Sequence, residues 1–223
     1  MRKIILSTLL SSGLIFAADL QSKGVEVTYT DSNDDEKTVL IKRVKNEKCA
    51  KVNFSPKAIL GGDYASDEIP KECKKTFVTS YGKISPMKFD EKVDTYGELE
   101  VLEFIKKAKT NENMMLIDSR TENWYIQQTI ASAQNIPFIY LNKSQYPEEF
   151  AEALDTIGVK ITKDGYDFSQ AKELLLFCNG AWCAQSPISM EKLIKLGYPK
   201  EKLNWYRGGI QSWLTFNLPT IEP

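Results

Sequence analysis

The chain has 223 residues, 42% of them hydrophobic and 26% charged, a globular balance with length for one sizeable core and a small companion region. A net charge of -1 gives no electrostatic footprint for nucleic acid or an anionic membrane. There is no histidine, which excludes Ser-His and Cys-His catalysis, His-ligated zinc or haem, and imidazole proton shuttling.

At the N-terminus Arg2 and Lys3 precede an apolar run over residues 4–18, softened by Ser7, Ser11, Ser12 and Gly13. That is the shape of a secretory signal, and it is shorter than the roughly 20 apolar residues of a membrane-spanning helix. Cleavage after Ala17 is the preferred site; an uncleaved anchor and a buried first strand are the alternatives. Removing residues 1–17 takes away two basic residues and no acid, so the net charge falls from -1 to -3. Export to the periplasm or beyond leaves no transmembrane segment in the mature chain. It also places the cysteines under oxidising conditions.

Residues 18–85 read as a small strand-rich region. Val25-Glu26-Val27-Thr28-Tyr29-Thr30 alternates with β-branched residues, Ser32-Asn33-Asp34-Asp35 makes a polar turn, and Thr38-Val39-Leu40-Ile41 resumes strand character, which predicts a hairpin. Gly61-Gly62-Asp63 and Ile69-Pro70 punctuate a loop. Cys49 and Cys73 flank it. In an exported protein they read as a disulfide closing 25 residues, worth about 3 to 4 kcal/mol by chain entropy; two free thiols are the alternative.

Over residues 86–223 helices and strands alternate. Thr95-Tyr96-Gly97-Glu98 has capping-box spacing and leads into a helix carrying Leu99, Leu102, Phe104 and Ile105. Met114-Met115-Leu116-Ile117-Asp118 reads as a buried strand, and Pro147 opens a second helix. Leu174-Leu175-Leu176-Phe177 is another buried strand, ending at Cys178. A helix through Ile188, Leu193, Ile194 and Leu196 stops at Gly197. Leu203-Asn204-Trp205-Tyr206 is the last strand, and Gly208-Gly209 leads into a closing helix around Trp213. This alternation predicts an α/β fold, a mostly parallel sheet flanked by helices, with sites at the carboxyl ends of its strands.

Cys178 stands at such an end. The loop Cys178-Asn179-Gly180-Ala181-Trp182-Cys183-Ala184-Gln185-Ser186 runs from a strand into a helix beginning near Ser186 or Pro187. A loop curled there points backbone N–H groups inward, and the helix N-terminus adds positive potential, so a thiolate or persulfide anion is favoured without any histidine. The competing reading is a small buried hydrophobe at a strand end. The four cysteines hold no CxxC knuckle, so neither a metal nor another cofactor is expected.

Residues from about 85 to 220 resemble a rhodanese domain. The resemblance rests on Leu116-Ile117-Asp118-Ser119-Arg120, on the Cys178 loop with its Leu196-Gly197-Tyr198 helix end, and on Tyr206-Arg207-Gly208-Gly209-Ile210 before Trp213. It implies that Cys178 is the sulfur-accepting cysteine and that Asp118 and Arg120 brace the fold. Where the family often carries Gly-His-Ile-Pro-Gly-Ala, this chain has Gln128-Thr129-Ile130-Ala131-Ser132-Ala133. No arginine or lysine lies between Cys178 and Ser186. The loop thus lacks the cations of many thiosulfate-using members and the closing arginine with which phosphatase-like relatives clamp an oxyanion.

The resulting expectation is an exported sulfurtransferase or sulfane-sulfur carrier that forms a persulfide on Cys178 from a small sulfane-sulfur donor or polysulfide. Cys183 is a second catalytic candidate that can resolve the persulfide or pair with Cys178. A thiol-disulfide oxidoreductase using both cysteines, and a non-catalytic module binding a periplasmic redox protein, are the rival readings. Only Arg43, Arg120 and Arg207 remain after the signal segment. The Gly208-Gly209 turn is expected to aim Arg207 at the Cys178 loop, as the cation that meets an anionic donor. For the N-terminal region, non-reducing peptide mapping should find Cys49 linked to Cys73; a link from Cys49 to Cys178 or Cys183 would overturn the two-region division.

Overall fold

The computed structural model describes residues 25–30, 35–41, 83–215, 218 and 220–223. In chain order the elements are β1 (Val25–Thr30), β2 (Glu36–Ile41), β3 (Asp94–Thr95), α1 (Glu98–Ala108), β4 (Met114–Asp118), α2 (Glu122–Tyr125) and β5 (Gln134–Asn135). They continue with α3 (Pro147–Thr156), β6 (Lys160–Thr162), β7 (Gly165–Asp167), β8 (Glu173–Phe177), α4 (Gln185–Leu196), β9 (Leu203–Tyr206) and α5 (Gly209–Thr215). The expected signal segment, the loop predicted near Gly61 and the expected Cys49–Cys73 disulfide lie outside the described residues. No helix among the described residues is long and apolar enough to cross a membrane.

β1 and β2 pair antiparallel, as the alternation around the polar turn requires. The main sheet has five strands, all parallel, in the order β3-β9-β8-β4-β5. Strands covered on both faces read as near-continuous apolar runs, and β4 and β8 do, apart from Asp118 at the end of one and Glu173 at the start of the other. Leu174 and Leu176 enter one core with Ile117, Trp205, Phe150 and Leu154 of α3 and Met190 and Leu193 of α4. Leu175 and Phe177 enter the other, with Leu116, Tyr206, Val101 and Phe104 of α1 and Ile210 and Trp213 of α5. The sheet is therefore sandwiched, with α3 and α4 on one face and α1 and α5 on the other.

Local signals fall where the sequence puts them, with one shift. The N-cap of α1 is Gly97, and Glu100 closes the capping box by accepting from the Gly97 N–H at 3.0 Å. The spacing through Thr95 and Glu98 was offset because Glu98 is engaged elsewhere: Tyr206 donates to its Oε1 at 2.9 Å, and Ser212 donates to the same oxygen. α4 starts at Gln185 and ends at Gly197, whose φ of 106 lies in the left-handed region that glycine tolerates. Short elements without an apolar run, namely β5, α2 and the β6–β7 hairpin, gave no periodic signal.

Between α2 and β5 the structure explains a departure from the resembled motif. Ser132 stands at the motif's second glycine and keeps a left-handed backbone, with φ 74. A non-glycine residue there is strained by about 1 to 2 kcal/mol. Ser132→Gly should relieve that strain at some cost in unfolded-chain entropy, a net gain of about 0.5 to 1 kcal/mol. The check is a higher denaturant midpoint at unchanged slope.

Candidate active site

Strand register brings the site together. Asp118 pairs with Phe177, and Phe177 with Tyr206, so three central strands end in one row. The next residue of each, Ser119, Cys178 and Arg207, steps off the carboxyl edge of the sheet. Cys178 is thus the middle of the three, at the strand end where parallel sheets place their chemistry.

The loop is clamped by the start of α5. The Ile210 N–H donates to the Cys178 carbonyl at 3.0 Å and the Gln211 N–H to the Asn179 carbonyl at 2.9 Å. Gly209 makes that approach possible: its φ is 58, and a Cβ would lie 2.2 Å from the Cys178 oxygen and 2.7 Å from the Gly180 nitrogen. Trp182 donates its indole N–H to Gln211 Oε1 at 2.8 Å, across the space that a side chain on Gly180 would fill. The Cys183 N–H closes the turn on the Gly180 carbonyl at 2.9 Å. Asn179, Trp182 and Cys183 are buried, Ala181 and Gln185 are half-buried, and Ala184 is exposed as the N-cap of α4.

Neutral donors converge on the Cys178 sulfur, which is buried. The Ser186 hydroxyl donates to it at 3.2 Å. Burial alone would raise the thiol's pKa, but the Cys183 thiol, the Ser186 hydroxyl and the backbone N–H groups of Ser186 and Gly180 overcome that and bring it down from 9.0 to about 7. Cys183 moves the other way. Burial and the neighbouring Cys178 hold its pKa well above the usual thiol value, so it keeps its proton. When protonated, Cys178 donates to the Cys183 carbonyl at 3.6 Å, and Cys183 has Gln185 Oε1 as acceptor at 3.7 Å. The arrangement eases ionisation of one sulfur and keeps its neighbour protonated.

Asp118 and Arg120 form a fully buried pair. Arg120 Nε donates to Oδ1 at 2.9 Å and Nη2 to Oδ2 at 2.6 Å. Nη2 also donates to the Gln128 carbonyl, and Nη1 reaches Asn179 Oδ1 at 3.5 Å. Thr129, standing where the resembled motif has histidine, donates to Asp118 Oδ2 at 2.7 Å. The pair thus ties the end of β4 to the Cys178 loop through Asn179. A buried pair of this kind is costly to break, by about 3 to 5 kcal/mol, because the remaining charge is left uncompensated.

Arg207 is placed differently from the expectation that its side chain aims at the loop. Its Nη2 donates to the Ser85 carbonyl at 2.8 Å, and its Nε donates to the Ser85 and Pro86 carbonyls at 3.1 and 3.2 Å. Ser85 in turn donates its N–H to the Ala181 carbonyl at 2.8 Å. The residues preceding β3 therefore lie against the loop, and their carbonyls take the guanidinium donors. Two further participants escaped the sequence reading. Trp205 donates its indole N–H to Ser186 Oγ at 3.1 Å, and Gln211 anchors Trp182. A polar atom on an otherwise apolar strand residue was the signal for the first. Gly209→Ala should displace the loop and destabilise the domain by at least about 2 kcal/mol, combining strain at positive φ with overpacking. It should also slow alkylation of Cys178 near neutral pH; an unchanged rate would show that the clamp does not set the sulfur's environment.

The rhodanese-like domain family matches residues 101–215. Among solved structures, a rhodanese-related protein from Thermoplasma volcanium is 22% identical, with 58% of this chain and 99% of that one covered and a TM-score of 0.38. The As-Sb reductase from Leishmania major is 21% identical, covering 56% of this chain and 79% of that one, with a TM-score of 0.38. A rhodanese from E. coli is 20% identical, covering 49% and 99%, with a TM-score of 0.31. A search of curated proteins found no match. With the family match spanning more than half of its length, over four of the five sheet strands, the Cys178 loop and the α5 clamp, the chain belongs to the rhodanese-like domain family.

Proposed function

We propose that the protein is an exported sulfurtransferase or sulfane-sulfur carrier whose nucleophile is Cys178. The observation that carries this reading is the set of donors on the Cys178 sulfur, which holds its thiol near 7 in a buried site without a histidine. A thiolate attacks a sulfane sulfur of a donor persulfide or polysulfide. A bond forms between Cys178 Sγ and that sulfur, the donor's own S–S bond breaks, and its electron pair leaves on the departing thiolate. Charge is conserved. The persulfide anion is then held by the donors that stabilised the thiolate, and burial of Cys178 favours a small donor over a bulky one.

The position of Cys183 supports a second reading, in which Cys178 and Cys183 cycle as dithiol and disulfide. Attack of Cys183 on the inner persulfide sulfur would release hydrosulfide and leave the disulfide, which a dithiol reductant must reopen. The raised Cys183 pKa disfavours this step near neutral pH, because the attacking species is the thiolate. The carrier reading is therefore preferred.

Incubation with polysulfide followed by mass spectrometry separates the readings. A carrier gains whole sulfur atoms, in wild type and in Cys183→Ser, and Cys178→Ser gains none. A loss of two hydrogens in place of added sulfur would favour the dithiol reading. Normal loading by both single variants would remove Cys178 from the mechanism, and absence of any loading would favour a binding module. Release of hydrosulfide from loaded wild type should accelerate as pH rises above neutrality, towards the raised pKa of Cys183, and should vanish in Cys183→Ser.

A further inference from the structure

We infer that Trp205 is a positioning residue for the site: its indole N–H holds the Ser186 hydroxyl as a proton donor towards the Cys178 sulfur. The inference rests on the reading of Cys178 as nucleophile, and concerns a residue of β9 that never touches that sulfur by hydrogen bond.

Trp205 is 1% exposed, and the Phe89 ring packs against it edge to face, with centroids 6.4 Å apart. Its N–H can only donate, and it does so to Ser186 Oγ at 3.1 Å. Ser186 is itself fully buried, in the first turn of α4. A hydroxyl has one proton and two acceptor sites. With one site occupied by the indole, the hydroxyl is fixed in place and its proton goes to the sulfur 3.2 Å away. Donors in series polarise one another, so the bond to a sulfur anion gains from the indole behind it.

Two competing arrangements show what the indole prevents. The serine hydroxyl can turn its proton away from the sulfur to a nearby backbone carbonyl. It can also accept from the Cys178 thiol, which stabilises the neutral sulfur rather than the anion. Both become easier once the indole N–H is absent. In the orientation towards sulfur the Ser186 hydroxyl contributes to the lowered pKa of Cys178. A tryptophan that only filled space would affect stability and leave the titration of Cys178 where it was.

The test is the pH profile of iodoacetamide alkylation, followed by mass spectrometry on the peptide that contains Cys178, in the full chain. Wild type, Trp205→Phe, Ser186→Ala and the double variant are compared. Trp205→Phe should raise the midpoint by about 0.5 to 1 pH unit, which lowers the thiolate fraction at neutral pH about two- to fivefold. Ser186→Ala should raise it at least as much, and the double variant should match Ser186→Ala, because the indole acts through the serine. An unchanged midpoint in folded Trp205→Phe, or additive shifts in the double variant, would overturn the inference. If Trp205→Phe does not fold, benzothienylalanine at position 205 keeps the bicyclic shape without the N–H and should give the same shift. Polysulfide loading of wild type separates the two claims. Loading without a midpoint shift overturns the Trp205 role alone, whereas a shift without loading supports that role and overturns Cys178 as the sulfur acceptor.

Discussion

A buried sulfur anion without a histidine or a loop cation needs neutral hydrogen-bond donors, and much of the carboxyl edge of this sheet serves that need. The donors are the Gly180 and Ser186 N–H groups, the Ser186 hydroxyl and the Cys183 thiol. Backbone donors act only if the loop is curled the right way, and the curl depends on α5. The N–H groups of its first turn bond the Cys178 and Asn179 carbonyls. Gly209 is the residue on which this depends, since any side chain there would occupy the space of the loop backbone. One backbone contact thereby links the closing helix to the chemistry of a cysteine more than thirty residues earlier in the chain.

Behind the loop, Arg120 secures the same region from the other side. Its guanidinium satisfies Asp118, the Gln128 carbonyl and Asn179, so the charge is buried but fully engaged. The departures from the family motif are accommodated here. Thr129 supplies a hydroxyl donor to Asp118 in place of an imidazole, and Ser132 keeps the left-handed turn that glycine would adopt without strain. The C-terminal tail closes over this corner: Ile221 and Thr129 exchange backbone hydrogen bonds, both at 2.9 Å. With threonine where the resembled motif often has histidine, Asp118 still receives a side-chain donor at this position, and that donor is a hydroxyl instead of an imidazole.

The unequal pair of cysteines shapes the proposed chemistry. A protonated Cys183 stabilises the Cys178 thiolate, and the same proton makes Cys183 a poor nucleophile. The two sulfurs are suited to holding an anion more than to rapid disulfide exchange. Arg207 adds a further constraint. It fixes Ser85 and Pro86, and Ser85 bonds the loop, so the residues leading into the domain become part of the wall around the site. The positive charge that the sequence offered for an anionic donor is engaged in holding chain.

Elements with a long apolar period were legible from the sequence: β4, β8, β9, α3 and α4 lie where their patterns put them, because double-sided burial and helix capping are written locally. The position of Cys178 at a strand end followed from the same patterning, and Gly197 and Gly209 announced their turns because few residues other than glycine adopt those angles. Two-residue strands and the β6–β7 hairpin were silent, since they are too short to carry a period. The capping box of α1 was misplaced by two residues because Glu98 has partners on β9 and α5 that local spacing does not reveal. Which donor turns to which acceptor was decided only in the tertiary structure. Trp205 reaches Ser186 across 19 positions and Arg207 reaches Ser85 across 122. Local pattern sets periodicity and turns; the choice among distant hydrogen-bond partners depends on which groups the packed sheet leaves buried together.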